Sequence, residues 1–189
     1  ADDEHLSVAD ALRTGSPEVA GAATVNSGWG EGVDVLPASP GLIDREADPR
    51  DEEAALRLRR ALSTLAEGYR HVIIDCAPSL GPTTRSGLAA ADGLLMVVEL
   101  SALSIRGADA VMACAYDVGR SLNPSLDLFG VIVNRAPANS AEARRQTEEL
   151  ERHMGVRSVW EPFVPQRTVL NEAVGLRAPL HDLGYRARD

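Results

Sequence analysis

The residues best placed to do chemistry stand at the ends of apolar runs. In Val72-Ile73-Ile74-Asp75-Cys76-Ala77-Pro78-Ser79 a β-branched run closes on a carboxylate, and the chain then turns through small residues and proline. His71 to Asp75 reads as a fully buried parallel strand. The C-terminal edge of such a strand is where ligands bind in open α/β sheets, so Asp75 points into a site crevice. A carboxylate there can hold Mg²⁺ through its water shell. It can equally cap the next turn, and these residues alone leave both readings open.

A second run, Val131-Ile132-Val133-Asn134-Arg135, also ends in polar residues. The Asn134 amide offers a donor and an acceptor together and can read the edge of a base. Taken alone, it reads as an Asn that begins the turn before Pro137. A third segment, Pro162-Phe163-Val164-Pro165-Gln166-Arg167, holds two prolines close together and is stiff and extended. It lines a base pocket or connects two elements. Gly28-Trp29-Gly30-Glu31-Gly32 precedes a strand instead of joining a strand to a helix, so it reads as a turn and not as a phosphate loop. His5, His71, His153 and His181 are scattered and show no metal spacing with Cys76 or Cys114.

The elements that must position these residues alternate short apolar runs with amphipathic segments, the mark of an α/β domain. Leu6–Leu12 is a helix candidate with Ser7 as N-cap and Gly15 as stop. Val33–Leu36 reads as a strand, and Ala38–Arg50 as a connector. From Asp51 to Glu67, Leu58, Ala61, Leu62 and Leu65 share one helical face with arginines opposite. A short helix around Ser86–Ala91 and a buried strand at Leu94–Glu99 follow the Asp75 turn. Leu103–Leu122 is a long helix, Leu126–Asn134 a strand, Ser140–Met154 a helix and Arg157–Trp160 a short strand. In the Ser140–Met154 helix Ala143, Thr147, Leu150 and Met154 form a narrow core stripe, and its charges form the solvated side. Thr168–Val174 reads as helical and Pro179 onward as irregular.

The chain has 189 residues, 44% hydrophobic and 25% charged, which excludes wholesale disorder and suits one domain with a real core. No apolar run approaches the ~20 residues of a membrane-spanning helix. Nineteen basic against 28 acidic residues give a net charge of −9, which disfavours nucleic acid unless a local patch overrides it. All nineteen basic residues are arginine. No lysine is present to form a Schiff base or to grip a phosphate.

The order of these signals resembles the ParA/MinD family of deviant-Walker ATPases, and ParA-type partition proteins most closely. Tyr69-Arg-His-Val-Ile-Ile-Asp-Cys-Ala-Pro-Ser-Leu-Gly81 is similar to the family's Walker B strand and switch II. Ala89 to Glu99, Leu122 to Asn134, and Val164-Pro165 through Asn171-Glu172-Ala173 match its following strands and helix in order and spacing. The resemblance implies a P-loop NTPase-like α/β fold, a doubly wound, mostly parallel sheet flanked by helices. The family's lysine-bearing P-loop has no counterpart here. The expectation is therefore a single ParA-like domain over residues 1–189, N-terminally truncated and lacking the usual first strand.

Carried over by position, the resemblance makes Asp75 the catalytic Walker B carboxylate that orders Mg²⁺ and its waters. Pro78 and Ser79 belong to the switch that senses the γ-phosphate of ATP, while Asn134, Val164 and Pro165 face adenine. Arg167, Arg177, Arg186 and Arg188 are the counterparts of residues that bind DNA non-specifically once ATP has closed a homodimer. The implied role is plasmid or chromosome partition with a ParB-like partner, in a cytoplasmic, nucleoid-associated protein without membrane attachment. The other reading is a degenerate, non-hydrolysing ParA-like scaffold that localises a partner protein. Without a lysine, these residues alone are not expected to hydrolyse ATP.

Overall fold

Serine and aspartate start the early helices by the same local chemistry. Ser7 precedes α1 (Val8–Thr14), and its main-chain N–H and Oγ–H both donate to Asp10 Oδ2 at 3.1 Å. Gly15 closes that helix at φ 66°, a left-handed conformation natural to glycine. Ser16 Oγ accepts from Val19 N–H at 3.2 Å to start α2 (Pro17–Ala23), whose first residue is a proline. Asp51 Oδ1 accepts from Ala54 N–H at 2.8 Å to start α4 (Glu52–Leu62), after the short α3 (Leu42–Arg45).

The structure, a computed structural model, describes residues 5–30, 32–48, 51–137, 141–155, 158–176 and 178–187. The remaining elements are α5 (Pro82–Ala90), β3 (Gly93–Val98), α6 (Ala102–Ser121), β4 (Asp127–Val133), α7 (Ala141–Met154), β5 (Val159–Trp160) and α8 (Thr168–Leu176), with β1 (Val25–Asn26) and β2 (Asp34–Val35) earlier in the chain. The chain divides into two compact units that interleave in sequence, residues 1–94 with 111–127 and residues 95–110 with 128–189.

The first unit is built around small side chains. Ala11, Ala20 and Ala61 bring α1, α2 and α4 together, with Leu36 and Leu65 against them. Ala55, Leu88, Ala89, Ala115, Val118 and Leu122 form the larger core, so α4 and α5 meet the second half of α6 through alanine, valine and leucine. Alanine lets helix backbones approach closely, and such interiors are close-packed. β1 and β2 form a small antiparallel hairpin, Val25 opposite Val35. The described residues of the turn read from sequence lie between the two strands, with Gly28 at φ 74°.

The sheet runs β3-β4-β5, with β4 and β5 parallel in the register Val131 to Val159 and Ile132 to Trp160. Val131 and Val133 are fully buried. α7 carries the expected stripe, with Leu150 fully buried and Ala143 beside it. Among the described residues, no helix is long and apolar enough to cross a membrane.

Three expectations from the sequence are corrected. His71–Asp75 is extended but is not a buried strand: no ladder is assigned to it, and Ile73 is 91% exposed. β-branched residues supply the preference for extended backbone, but a strand exists only where a neighbour's N–H and C=O groups face it. Among the described residues no such neighbour lies alongside. β3 is not buried throughout but on alternate residues, with Val98 at 6% exposure and Val97 at 60%. One face of it is covered, so the period-2 geometry of a strand decides which side chains are shielded. The segment after Pro179 is not irregular; Leu180–Ala187 forms a 3-10 helix.

Candidate functional site

Asp75 closes the extended segment with its side chain exposed, and no hydrogen bond or ion pair to it is formed among the described residues. The carboxylate therefore does not cap the next turn. That turn is held by other groups. Thr84, buried in the first turn of α5, donates its hydroxyl to the Ser79 carbonyl at 2.6 Å and lies 3.3 Å from the Ala77 carbonyl. Ser79 Oγ donates to Glu46 Oε1 at 3.4 Å, and Thr83 Oγ1 donates to the same oxygen. Pro78 is exposed at the crest of the turn. Gly81 then begins α5 with Pro82 at its first position, where the missing N–H costs no helix bond.

Cys76 turns back under α5, so that a Cβ on Gly87 would stand 2.8 Å from its Sγ. Desolvation there, and then the neighbouring Asp75 charge, push the Cys76 thiol above its usual range. A raised pKa keeps the thiolate, which is the nucleophilic form, scarce.

The opposite end of α5 is held as firmly. Asn123 is only 2% exposed, and its amide donates to the carbonyls of Leu88 at 3.1 Å and Ala91 at 2.7 Å. These are carbonyls that a helix C-terminus leaves without partners. Arg85 pairs with Asp117 of α6 at 2.6 Å. The Asp75 turn thus leads into a helix fixed at both ends.

Asn134, Val164 and Pro165 come together in the second unit. Val164 N–H donates to Val133 O at 2.9 Å and Ala136 N–H to Val164 O at 2.9 Å, while Asn134 N–H donates to Val98 O at 2.8 Å. Ala136 and Pro165 form a parallel bridge. Both main-chain groups of Val164 are therefore used in extending the sheet. The Asn134 side chain is half-buried and makes no hydrogen bond among the described residues. Arg135 follows at φ 51°, in the left-handed region, with its Nη1 3.1 Å from Glu99 Oε1. This residue type adopts that conformation at a cost, so the chain is forced to turn just after Asn134. Beside the turn lies a cleft of about 270 Å³ lined by Leu100, Ala136, Pro137, Thr147, Glu161 and Phe163.

Arg167 is exposed ahead of α8. Arg177 and Arg188 lie outside the described residues, and the Arg186 side chain is likewise not described. No group of histidine, cysteine or carboxylate side chains able to hold a metal occurs among the described residues. Sequence reading missed Glu46, Thr84 and Asn123. Each acts on groups 5 to 37 residues away, so no local spacing marks it.

Parallel strands β4 and β5 and the helices that alternate with the strands make this an α/β chain. A family model for an AAA domain matches residues 2–128, and the chain belongs to that family, the ParA/MinD ATPases. It is 32% identical over 143 residues to the chromosome-partitioning ATPase Soj of Thermus thermophilus, covering 76% of this chain and 55% of that protein. It is 31% identical over 149 residues to the chromosome partitioning protein ParA of Myxococcus xanthus, covering 78% of this chain and 52% of that one. The chain spans about half the length of the curated relatives it matches.

Solved structures agree on the fold. Cobyrinic acid a,c-diamide synthase from Mycobacterium smegmatis, with bound ADP and magnesium, superposes with a TM-score of 0.73 at 26% identity, over 98% of this chain and 70% of that one. Cyanothece McdA superposes with a TM-score of 0.81 at 16% identity, over 98% of this chain and 74% of that one, a likeness of fold alone.

Proposed function

We propose that this chain belongs to a ParA-type ATPase of plasmid or chromosome partition. The observation that carries the reading is the exposed Asp75 carboxylate, which makes no hydrogen bond or ion pair among the described residues, at the end of its extended segment and one turn ahead of α5. An exposed, unpaired carboxylate is a hard oxygen donor, which suits Mg²⁺ held through water. Bound Mg²⁺ would supply charge neutralisation on the phosphates of ATP.

In this reading Asp75 orients the metal's waters, and the hydroxyl of Ser79 beside Pro78 meets the terminal phosphate. The Asn134 amide, without a hydrogen bond among the described residues, reads the adenine edge, next to the backbone at Val164 and Pro165. ATP closes a homodimer, Arg167, Arg177, Arg186 and Arg188 contact DNA without sequence preference, and a ParB-like partner stimulates turnover. The relatives named for chromosome partition support this role. The protein is then cytoplasmic and associated with the nucleoid.

The test is thermal unfolding of the full-length protein with Mg-ATP, Mg-ADP and ATP plus chelator. A ligand at 100 times its Kd stabilises the native state by about 2.7 kcal/mol. We expect a shift of several degrees with Mg-ATP that is lost on chelation and in Asp75→Asn. An unchanged melting temperature in the wild type overturns the ATP-dependent reading and leaves the non-hydrolysing scaffold.

A further inference from the structure

We infer that Glu46 is a positioning residue that clamps the turn after Asp75 and competes with an incoming phosphate for it. This rests on the reading of Ser79 as the residue that meets a terminal phosphate.

The clamp is built from distant parts of the chain. Glu46 stands at the C-terminal end of α3, where its N–H donates to the carbonyls of Leu42 and Ile43 at 3.2 Å. Its neighbour Arg45 pairs with Asp48 at 3.1 Å, so the stem that carries the carboxylate is itself fixed. Oε1 receives the hydroxyls of Ser79 and Thr83, and Oε2 lies over Gly81, where any Cβ would collide with it.

Gly81 precedes α5 without a side chain to cap it. A helix start carries unpaired N–H groups and partial positive charge, which a nearby carboxylate satisfies. Glu46 supplies that charge from 35 residues away. The same position favours any anion, a phosphate included. A phosphate approaching Ser79 must therefore take the hydroxyl from Glu46 and meet its negative charge. The carboxylate holds the turn in one arrangement when no phosphate is present, and opposes a ligand only when that ligand extends to Ser79. Such an element discriminates by differential interaction with two states.

The experiment compares wild type, Glu46→Gln and Glu46→Ala. Amide hydrogen exchange without nucleotide is followed first. We expect exchange at Ser79, Leu80, Gly81 and Thr83 to rise about ten-fold in Glu46→Ala, with α4 unchanged, because opening is local. Glu46→Gln keeps an acceptor oxygen and should retain most of the protection. Binding of Mg-ATP and Mg-ADP is measured next. Glu46→Ala should bind Mg-ATP about three-fold tighter or more with Mg-ADP unchanged, since the clamp opposes the terminal phosphate alone. A merely structural residue would weaken both nucleotides together. Unchanged exchange, exchange raised evenly along the chain, or equal effects on both nucleotides overturns the clamp. If wild type binds neither nucleotide, the partition-ATPase reading fails, and the exchange result alone decides whether Glu46 holds the turn.

Discussion

Asn123, far down the chain at the end of α6, donates its side-chain amide to the Leu88 carbonyl in the last turn of α5 at 3.1 Å. It also reaches the Ala91 carbonyl at 2.7 Å and accepts the Ser125 hydroxyl at 3.0 Å. A buried side chain therefore completes a helix end that the Ala91 N–H closes only in part, by its bond to Gly87 O.

Replacing Asn123 by alanine leaves those carbonyls without partners inside the protein. An unsatisfied buried polar group costs about 1–3 kcal/mol, so Asn123→Ala should be destabilised by roughly 2 kcal/mol or more in urea titration. Asn123→Asp keeps the size but loses both N–H donors, and should be no better than alanine. A loss below about 0.5 kcal/mol for either variant would contradict the role assigned to this amide.

Gly130 and Trp160 make a second close pair, this one steric. The indole Nε1 donates to the Phe129 carbonyl at 3.1 Å, and a Cβ on Gly130 would collide with the ring. Gly130→Ala should cost about 1–3 kcal/mol through overpacking. Adding Trp160→Ala should remove most of that penalty, since the obstacle is gone. Additive effects in the double mutant would show that the ring does not lie over Gly130 in solution.

Gly87 and Cys76 give the same test beside the Asp75 turn. A methyl on Gly87 would come within 2.8 Å of Sγ and 3.5 Å of Ile74 Cγ2. Gly87→Ala should lower the melting temperature by several degrees, because α5 must lift from the extended segment. Cys76→Ala alone should be mild, and the double mutant should recover most of the loss.

Asp10 sets a pH dependence for the start of α1. Desolvation raises its pKa, but hydrogen bonds from Arg13 and from the Ser7 hydroxyl and N–H outweigh it, so the carboxyl sits below its ordinary 3.8. A depressed folded-state pKa contributes stability that is present above the unfolded value and is lost as pH falls through the folded one. The stability gap between wild type and Asp10→Asn should therefore be constant from pH 7 to 5 and close below about pH 4. A gap that is unchanged at pH 3 would place the stabilisation elsewhere than in the charged carboxylate.

Much of this architecture was legible from local pattern. Ser7 and Asp51 mark helix starts because a side-chain oxygen or carboxylate next to free N–H groups is a purely local interaction, while the start at Ser16 went unread although it is equally local. The stripe of α7 and the β4 run follow from period alone, 3.6 for one and near-continuous apolarity for the other. The order of Asp75, Asn134 and Pro165 along the chain was enough to point to the family, because spacing between elements is itself sequence information.

What the sequence determined by itself is thus the order of the chemical groups and those elements that a local pattern marks, such as α1, α4, α7 and β4. What only the tertiary structure decided is which groups have partners. Val72-Ile73-Ile74 has the composition of a buried strand and yet is exposed, since pairing depends on a neighbouring backbone and not on the segment. Asp75 has no partner among the described residues, while Ser79, Gly81 and Thr83 converge on Glu46 from across more than thirty residues of chain. Hydrogen bonds and steric contacts act over a few ångströms of space, whatever the separation along the chain. No spacing rule written along the chain could have shown them.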